Sequence, residues 1–193
     1  MRLGRIWVLA CCAIAAAAAD AHAEILAIPF VGATFKAQTT LKIFDVATVD
    51  PGALSSSVVL GVAGMWLSPS ILGVEGELAY APSFFKLEGR PALVGSNITT
   101  FTGNLVLTAP LSLTRESLRP YFVGGLGLLH VGVADRINFN PVDRNLLALS
   151  LGGGVIGMVS DRTGLRFDLR QLRSVGDVRL SYWRATVGVT IRY

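Results

Sequence analysis

The side chains with the most chemical capacity in this 193-residue chain lie in three short stretches. Glu75 and Glu77 stand two apart in Gly73-Val74-Glu75-Gly76-Glu77. Arg166, Asp168 and Arg170 do the same in Gly164-Leu165-Arg166-Phe167-Asp168-Leu169-Arg170, and Arg184 and Arg192 share one parity of Trp183–Tyr193. Paired carboxylates are the groups of general acid–base chemistry, and carboxylates beside guanidiniums can also line an ion path. On a strand, a spacing of two puts each set on one face. Inside a narrow barrel such faces would neutralise one another as a packed plug, and that reading is preferred to an ion path or a catalytic pair.

His130 is the one histidine beyond residue 23. It sits in Leu128-Leu129-His130-Val131-Gly132 with no serine beside it. A packed or solvated ring is therefore favoured over a hydrolase relay. Gly152-Gly153-Gly154-Val155-Ile156-Gly157 matches G-x-G-x-x-G, with Asp177 twenty residues further on. That motif has meaning only between a strand and a helix, whereas Met158–Gly164 reads as a strand end and a turn. No cofactor is expected. Cys11 and Cys12 both fall in the N-terminal apolar segment, so no disulfide framework or thiolate metal site is expected beyond it.

These faces need strands to carry them. Apolar, β-rich segments recur at Ile25–Lys36, Ser56–Leu67, Leu72–Phe84, Asn97–Ala109, Arg119–Val133, Leu146–Val159, Leu165–Arg173 and Leu180–Tyr193. Each is near or above the roughly 9 to 11 residues of a tilted spanning strand. The connections alternate in length. Ala37–Ser55, Phe85–Ser96 and Ala134–Asn145 are long and polar, while Ser68-Pro69-Ser70 and Ser160–Gly164 are tight. Leu111–Leu118 is intermediate, and the fourth loop, Ser174–Arg179, is short for its place.

Alternation assigns faces in four segments. Val74, Gly76, Leu78 and Tyr80 oppose Glu75 and Glu77, and Phe101, Gly103, Leu105 and Leu107 oppose Thr102, Asn104 and Thr108. Leu165, Phe167 and Leu169 oppose the Arg166 set; Trp183, Ala185, Val187, Val189, Ile191 and Tyr193 oppose Arg184 and Arg192. The first, second, fifth and sixth segments are too apolar and glycine-rich on both faces to assign. Their glycines, Gly124, Gly125, Gly127, Gly152, Gly153 and Gly154 among them, suit tight curvature or room for large inward neighbours.

Three observations choose the surroundings of those faces. Arg2 and Arg5 precede the apolar run Ile6–Ala19, and Ala21-His22-Ala23 has the small-x-small form of a cleavage site. A signal peptide over residues 1–23 and a barrel domain over 24–193 are expected, since the run is shorter than a spanning helix needs. Mean hydropathy is high, +0.56, yet no later stretch is an uninterrupted spanning helix; the closed barrel is the other architecture that satisfies every backbone group in lipid. The charge is mild, 17 basic against 13 acidic residues, without a basic run that would suggest nucleic acid. The apolar faces then take lipid. The lumen takes Glu75, Glu77, Arg166, Asp168, Arg170, Arg184 and Arg192, because a mid-membrane arginine on the lipid face costs roughly 2–4 kcal/mol.

With Arg119-Pro120-Tyr121-Phe122-Val123-Gly124-Gly125-Leu126-Gly127 and the alternating C-terminal segment added, the chain resembles the small eight-stranded outer-membrane β-barrels, the OmpA transmembrane domain and OmpX among them. The resemblance implies an all-β, antiparallel, up-and-down transmembrane barrel, monomeric, in the outer membrane of a Gram-negative cell with its termini in the periplasm. It also implies that Val189, Ile191 and Tyr193 form the signal read by the barrel-assembly machinery. Trp66 and Tyr193 would form one aromatic girdle and Trp183 the other. The expected role is structural or surface interaction, such as membrane integrity, adhesion or lipopolysaccharide contact, with Lys86, Arg90, Arg136 and Arg144 near lipid phosphates. The alternatives are a lipid A- or phospholipid-modifying enzyme using His130, a soluble lipocalin-like barrel with the faces reversed, and a narrow channel.

Overall fold

The computed structural model describes residues 23–39, 56–82, 94–110, 114, 118–135, 142–176 and 180–193. Most of the expected leader therefore lies outside the described residues, as do Lys86, Arg90 and Arg136. Eight strands follow in chain order: β1 Glu24–Thr39, β2 Ser57–Leu67, β3 Leu72–Pro82, β4 Val94–Thr108, β5 Leu118–Asp135, β6 Val142–Met158, β7 Thr163–Val175 and β8 Leu180–Arg192. Each pairs antiparallel with the next, and β1 pairs with β8 to close the barrel. No helix among the described residues is long and apolar enough to cross a membrane.

Strand parity decides what each face meets. On β3, β4, β7 and β8 the apolar parity points outward: Leu105 is 65% exposed and Phe167 54%, while Glu77 and Arg166 are each 2% exposed. A soluble, ligand-binding barrel would reverse this, so the lipocalin-like reading is overturned. The strands that sequence left unassigned obey the same rule. On β5, Arg119, Tyr121, Val123 and Leu129 are buried and Phe122, Leu126 and Leu128 are exposed; on β6, Ser150 and Ile156 are buried and Leu149 and Leu151 exposed.

The G-x-G-x-x-G run lies within β6 and is followed by a tight turn, in which the Val159 and Ser160 amides both donate to the Thr163 carbonyl. Its alternate glycines face the lumen. A Cβ at Gly152 would overlap the Leu169 carbonyl and the Arg170 backbone, and one at Gly154 the Phe167 carbonyl and the Tyr121 ring. Gly125 and Gly127 stand equally close to the backbone of β4. The inner wall of β5 and β6 is thus bare backbone, which leaves space for long side chains from across the lumen.

Three sequence-based boundaries move for physical reasons. β1 runs on to Thr39 because a bulge at Lys36, with φ of 51°, shifts the register with β8 between Phe35 and Gln38. β5 and β6 pair from Leu118 opposite Gly157 as far as Val133 opposite Val142, so the expected loop Ala134–Asn145 contracts. The 18 residues of β5 and 17 of β6 exceed what a membrane crossing uses. Their loop ends project beyond it. There the interior turns apolar, with Ile98, Leu129, Leu172 and Leu180 buried, while Arg173, Gln38, His130 and Asn145 are exposed.

We predict that Gly154→Val destabilises the folded barrel by about 3 kcal/mol, as overpacking against fixed backbone does. Gly76→Ala, at an outward position with nothing within 4 Å, should change stability by less than about 1 kcal/mol. Urea unfolding in detergent, followed by tryptophan emission, measures both.

Candidate functional site

The pleat brings six of the seven side chains assigned to the lumen into one cluster. β3 contributes Glu75 and Glu77, β7 contributes Arg166, Asp168 and Arg170, and β8 contributes Arg184. Glu75 is the hub. Its Oε1 accepts from Arg170 Nη1 at 2.6 Å and Asn104 Nδ2 at 2.9 Å; its Oε2 accepts from Arg166 Nη2 at 2.6 Å and Arg170 Nη2 at 2.9 Å. Asp168 Oδ1 accepts from Arg170 Nε at 2.7 Å, and Oδ2 from the Tyr121 hydroxyl at 2.5 Å and Arg166 Nη2 at 3.1 Å. Glu77 accepts from Arg184 Nη2 at 2.5 Å and lies 3.4 Å from Arg170 Nη1. Three carboxylates thus meet three guanidiniums. The cluster is neutral as a whole, which is the condition for holding ions out of water.

Two aromatic rings complete it. The Arg166 guanidinium lies 5.3 Å from the Tyr121 ring centroid, and its Nε donates to the Tyr121 hydroxyl at 2.7 Å. The Arg184 guanidinium lies 5.5 Å from the Phe30 centroid. Its Nε and Nη1 have no hydrogen-bond acceptor among the described residues, so ring stacking supplies part of what those donors lack.

Arg192 sits apart from this cluster. It is half-buried at the turn end, where its Nη2 lies 3.2 Å from Glu24 Oε1, and Arg119 Nη1 donates to Glu24 Oε2 at 3.0 Å. Arg119 Nη2 also donates to Thr108 Oγ1 at 2.9 Å. This second group ties the first residue of β1 to β5 and β8. Sequence reasoning missed Glu24, Arg119 and Tyr121 as lumen polar groups; it placed Asn104 on the polar face of β4 but did not join it to Glu75. The signal was available in part, since Arg119 and Tyr121 share the parity of Val123 on a strand whose other parity is Leu118, Phe122, Leu126 and Leu128.

The remaining residues singled out by sequence lie on the outside. Trp66 stands opposite Ile25 and Val74 near the turns. Tyr193 is 80% exposed at the same end, its amide donating to the Ile25 carbonyl at 3.0 Å, and Val189 and Ile191 share its face. Trp183 stands opposite Phe35 and Gln171 toward the loops. His130 faces outward, its Nδ1 3.0 Å from Asn145 Oδ1. The barrel wall separates it from Glu75, Glu77 and Asp168. Of Arg144 only the strand backbone is described.

The cluster has little capacity for catalysis. Every carboxylate oxygen of Glu75 and Asp168 already accepts from a guanidinium, an amide or a phenol, and both side chains are sealed from solvent, so neither acid is open to a substrate. No group of three or more metal-ligating side chains occurs among the described residues.

No family model and no curated protein matches the sequence. Solved structures do match by fold. Neisserial surface protein A superposes with a TM-score of 0.64 at 12% identity, over 89% of this chain and 99% of that one. The fold is that of a small outer-membrane β-barrel. OprG from Pseudomonas aeruginosa gives a TM-score of 0.59 at 14% identity, covering 90% and 96% of the two chains. The attachment invasion locus protein Ail of Yersinia pestis, in complex with the heparin analogue sucrose octasulfate, gives 0.53 at 16%, covering 89% and 98%.

We predict that Glu75→Gln, which leaves Arg166 and Arg170 facing an uncharged amide in the lumen, costs about 3–5 kcal/mol of stability. Glu24→Gln, at the half-open turn end, should cost about 1 kcal/mol or less. Equal losses in urea unfolding would mean that the central cluster has no special standing.

Proposed function

We propose that this barrel is an integral, non-catalytic protein of a bacterial outer membrane, with a structural or surface-interaction role. In this reading both termini and the tight turns face the periplasm and the long connections face outward. The observation that carries it is the filled lumen. The charge cluster occupies the middle, with Leu26, Ile28, Met65, Leu67 and Ile156 buried toward the turns and Ile98, Leu129, Leu172 and Leu180 toward the loops. A barrel packed in this way holds itself in the membrane and offers its loops and outer wall, and not a passage, for work.

Two of the fold's solved relatives bear names consistent with this role: one is a surface protein and the other an attachment protein solved with a sulfated heparin analogue. Contact with lipopolysaccharide or with other cells through the loops is the corresponding role here. Tyr193, Ile191 and Val189 form an uninterrupted outward apolar end to β8, which suits recognition by the barrel-assembly machinery. The closed ladder leaves no free strand edge, which suits a monomer.

Outer-membrane fractions run with and without boiling should show a band that shifts on heating, and planar bilayers should show no steady porin-sized conductance. Sustained conductance would overturn the sealed lumen. His130→Ala should leave lipid A and phospholipid profiles of producing cells unchanged; an altered profile would make the protein an enzyme.

A further inference from the structure

Inside the barrel, Glu75, Asn104, Gly125, Ser150 and Leu172 stand in register on β3, β4, β5, β6 and β7. The row starts at the hub of the charge cluster and crosses the bare inner wall. Asn104 holds the hub. Its Nδ2 donates to Glu75 Oε1 at 2.9 Å and to Thr102 Oγ1 at 3.0 Å, so both amide hydrogens are used. Turning the amide over would set its oxygen against the Glu75 carboxylate, so chemistry fixes which atom is which. Oδ1 therefore points the other way, over Gly125, where a Cβ would overlap both it and the Gly103 carbonyl.

Among the described residues Asn104 Oδ1 has no donor and the Ser150 hydroxyl has no partner. Asn104 is 5% exposed and Ser150 3%. A buried polar atom left unmatched costs about 1–3 kcal/mol. These two stand on either side of one glycine. Oδ1 lies over β5, and Ser150 is the next residue across, on β6, about one strand spacing or 4.8 Å away. That gap is too wide for a direct hydrogen bond and suits two bonds of about 2.8 Å that meet at one oxygen. The group that fits must donate to Oδ1, share a hydrogen bond with a hydroxyl and carry no charge. An anion would face the Asn104 oxygen, and a cation would face Arg170, whose Nη1 shares Glu75 Oε1 with Asn104.

We infer that a water molecule is bound over Gly125 as a lasting part of the lumen. It donates to Asn104 Oδ1 and bonds the Ser150 hydroxyl, and the Gly103 carbonyl beside Oδ1 is the third partner. Two to four polar partners are what a buried water takes. The water makes Asn104 a positioning residue, because an amide held at Oδ1 keeps its Nδ2 on Glu75. It also gives Ser150 a purpose, as the one polar inward side chain of β6 among the described residues. The site goes beyond the proposed function and is independent of which way the barrel faces.

The test is a crystal structure of the folded barrel at a resolution that shows ordered water, with two isosteric variants. Density within about 3.2 Å of both Asn104 Oδ1 and Ser150 Oγ is expected in the parent. Ser150→Thr keeps the hydroxyl and should keep the density; Ser150→Val puts a methyl group in its place and should lose it. In detergent solution, NMR should show the Asn104 Nδ2 hydrogens exchanging at least about tenfold faster in Ser150→Val and within about threefold of the parent in Ser150→Thr. The β4 backbone amides should exchange alike in all three. An empty position in the parent, oxygen contacts near about 2.4 Å that mark a bound cation, or a valine variant that behaves as the threonine one would each overturn the site. The heat-induced gel shift shows whether each variant folds, and where the valine variant does not, the parent density decides.

Discussion

Arg170 is fully buried, and all three of its guanidinium nitrogens face carboxylates. A lone guanidinium in that position would be expelled by the cost of its own desolvation. Its presence requires Glu75 on the opposite wall, Asp168 two residues before it and Glu77 beside them, with a lumen narrow enough for all four to touch. The narrowness in turn requires inner positions without side chains, which β5 and β6 supply at Gly125, Gly127, Gly152 and Gly154. Charge and glycine are therefore two halves of one arrangement. The charges set which strands must face each other, and the glycines allow those strands to close around them.

Closure imposes a second constraint, because an open edge in lipid leaves a row of unpaired backbone groups. The β1–β8 seam is the least regular junction in the barrel. Its ladder runs from Leu26 opposite Arg192 to Ala27 opposite Ile191, then resumes at Phe30 opposite Gly188. Pro29, with no N–H to give, lies in the gap. The seam breaks register again at the Lys36 bulge. Side chains support it where the ladder is thin: Glu24 joins β1 to Arg192 and Arg119, Arg184 stacks on Phe30, and the Tyr193 amide donates to Ile25.

Legibility in the sequence followed chemical contrast between adjacent residues. On β3 and β7, Glu or Arg alternates with Val, Leu or Phe, so parity and facing could be read together, and the partners Glu75, Arg166, Asp168 and Arg170 were visible as a set. On β5 and β6 glycine occupies both parities, Gly124 outward and Gly125 inward, and a residue without a side chain carries no facing signal. Tyr121 was hidden for a different reason. A tyrosine is equally at home in a girdle or a lumen, and only the proximity of Asp168 and Arg166 decides the matter. Arg192 has the parity of Arg184, yet it sits far enough toward the turns to meet Glu24 and not Glu77, and parity says nothing about height. The bulge at Lys36 was illegible because nothing local marks it, and it is the shift in pairing with β8 that requires the extra residue.

β7 shows how one strand serves both environments. From Leu165 to Arg170 it is apolar outside and charged inside, the order that lipid demands. From Gln171 to Ser174 the order reverses, with Gln171 and Arg173 outward and Leu172 buried. The reversal falls one residue after Arg170, with no change of strand or register. β8 reverses at the matching height, where Tyr182 and Leu180 turn inward and Ser181 outward. The boundary of the apolar zone is therefore written into the strands themselves, at the row of Trp183 and Gln171. Above it β7 and β8 turn Arg173 and Ser181 outward over a buried apolar interior of Leu172, Leu180, Leu129 and Ile98. Pairing between the two strands fixes Arg173 opposite Ser181 directly above the apolar wall, so these outward polar side chains stand at the boundary by construction.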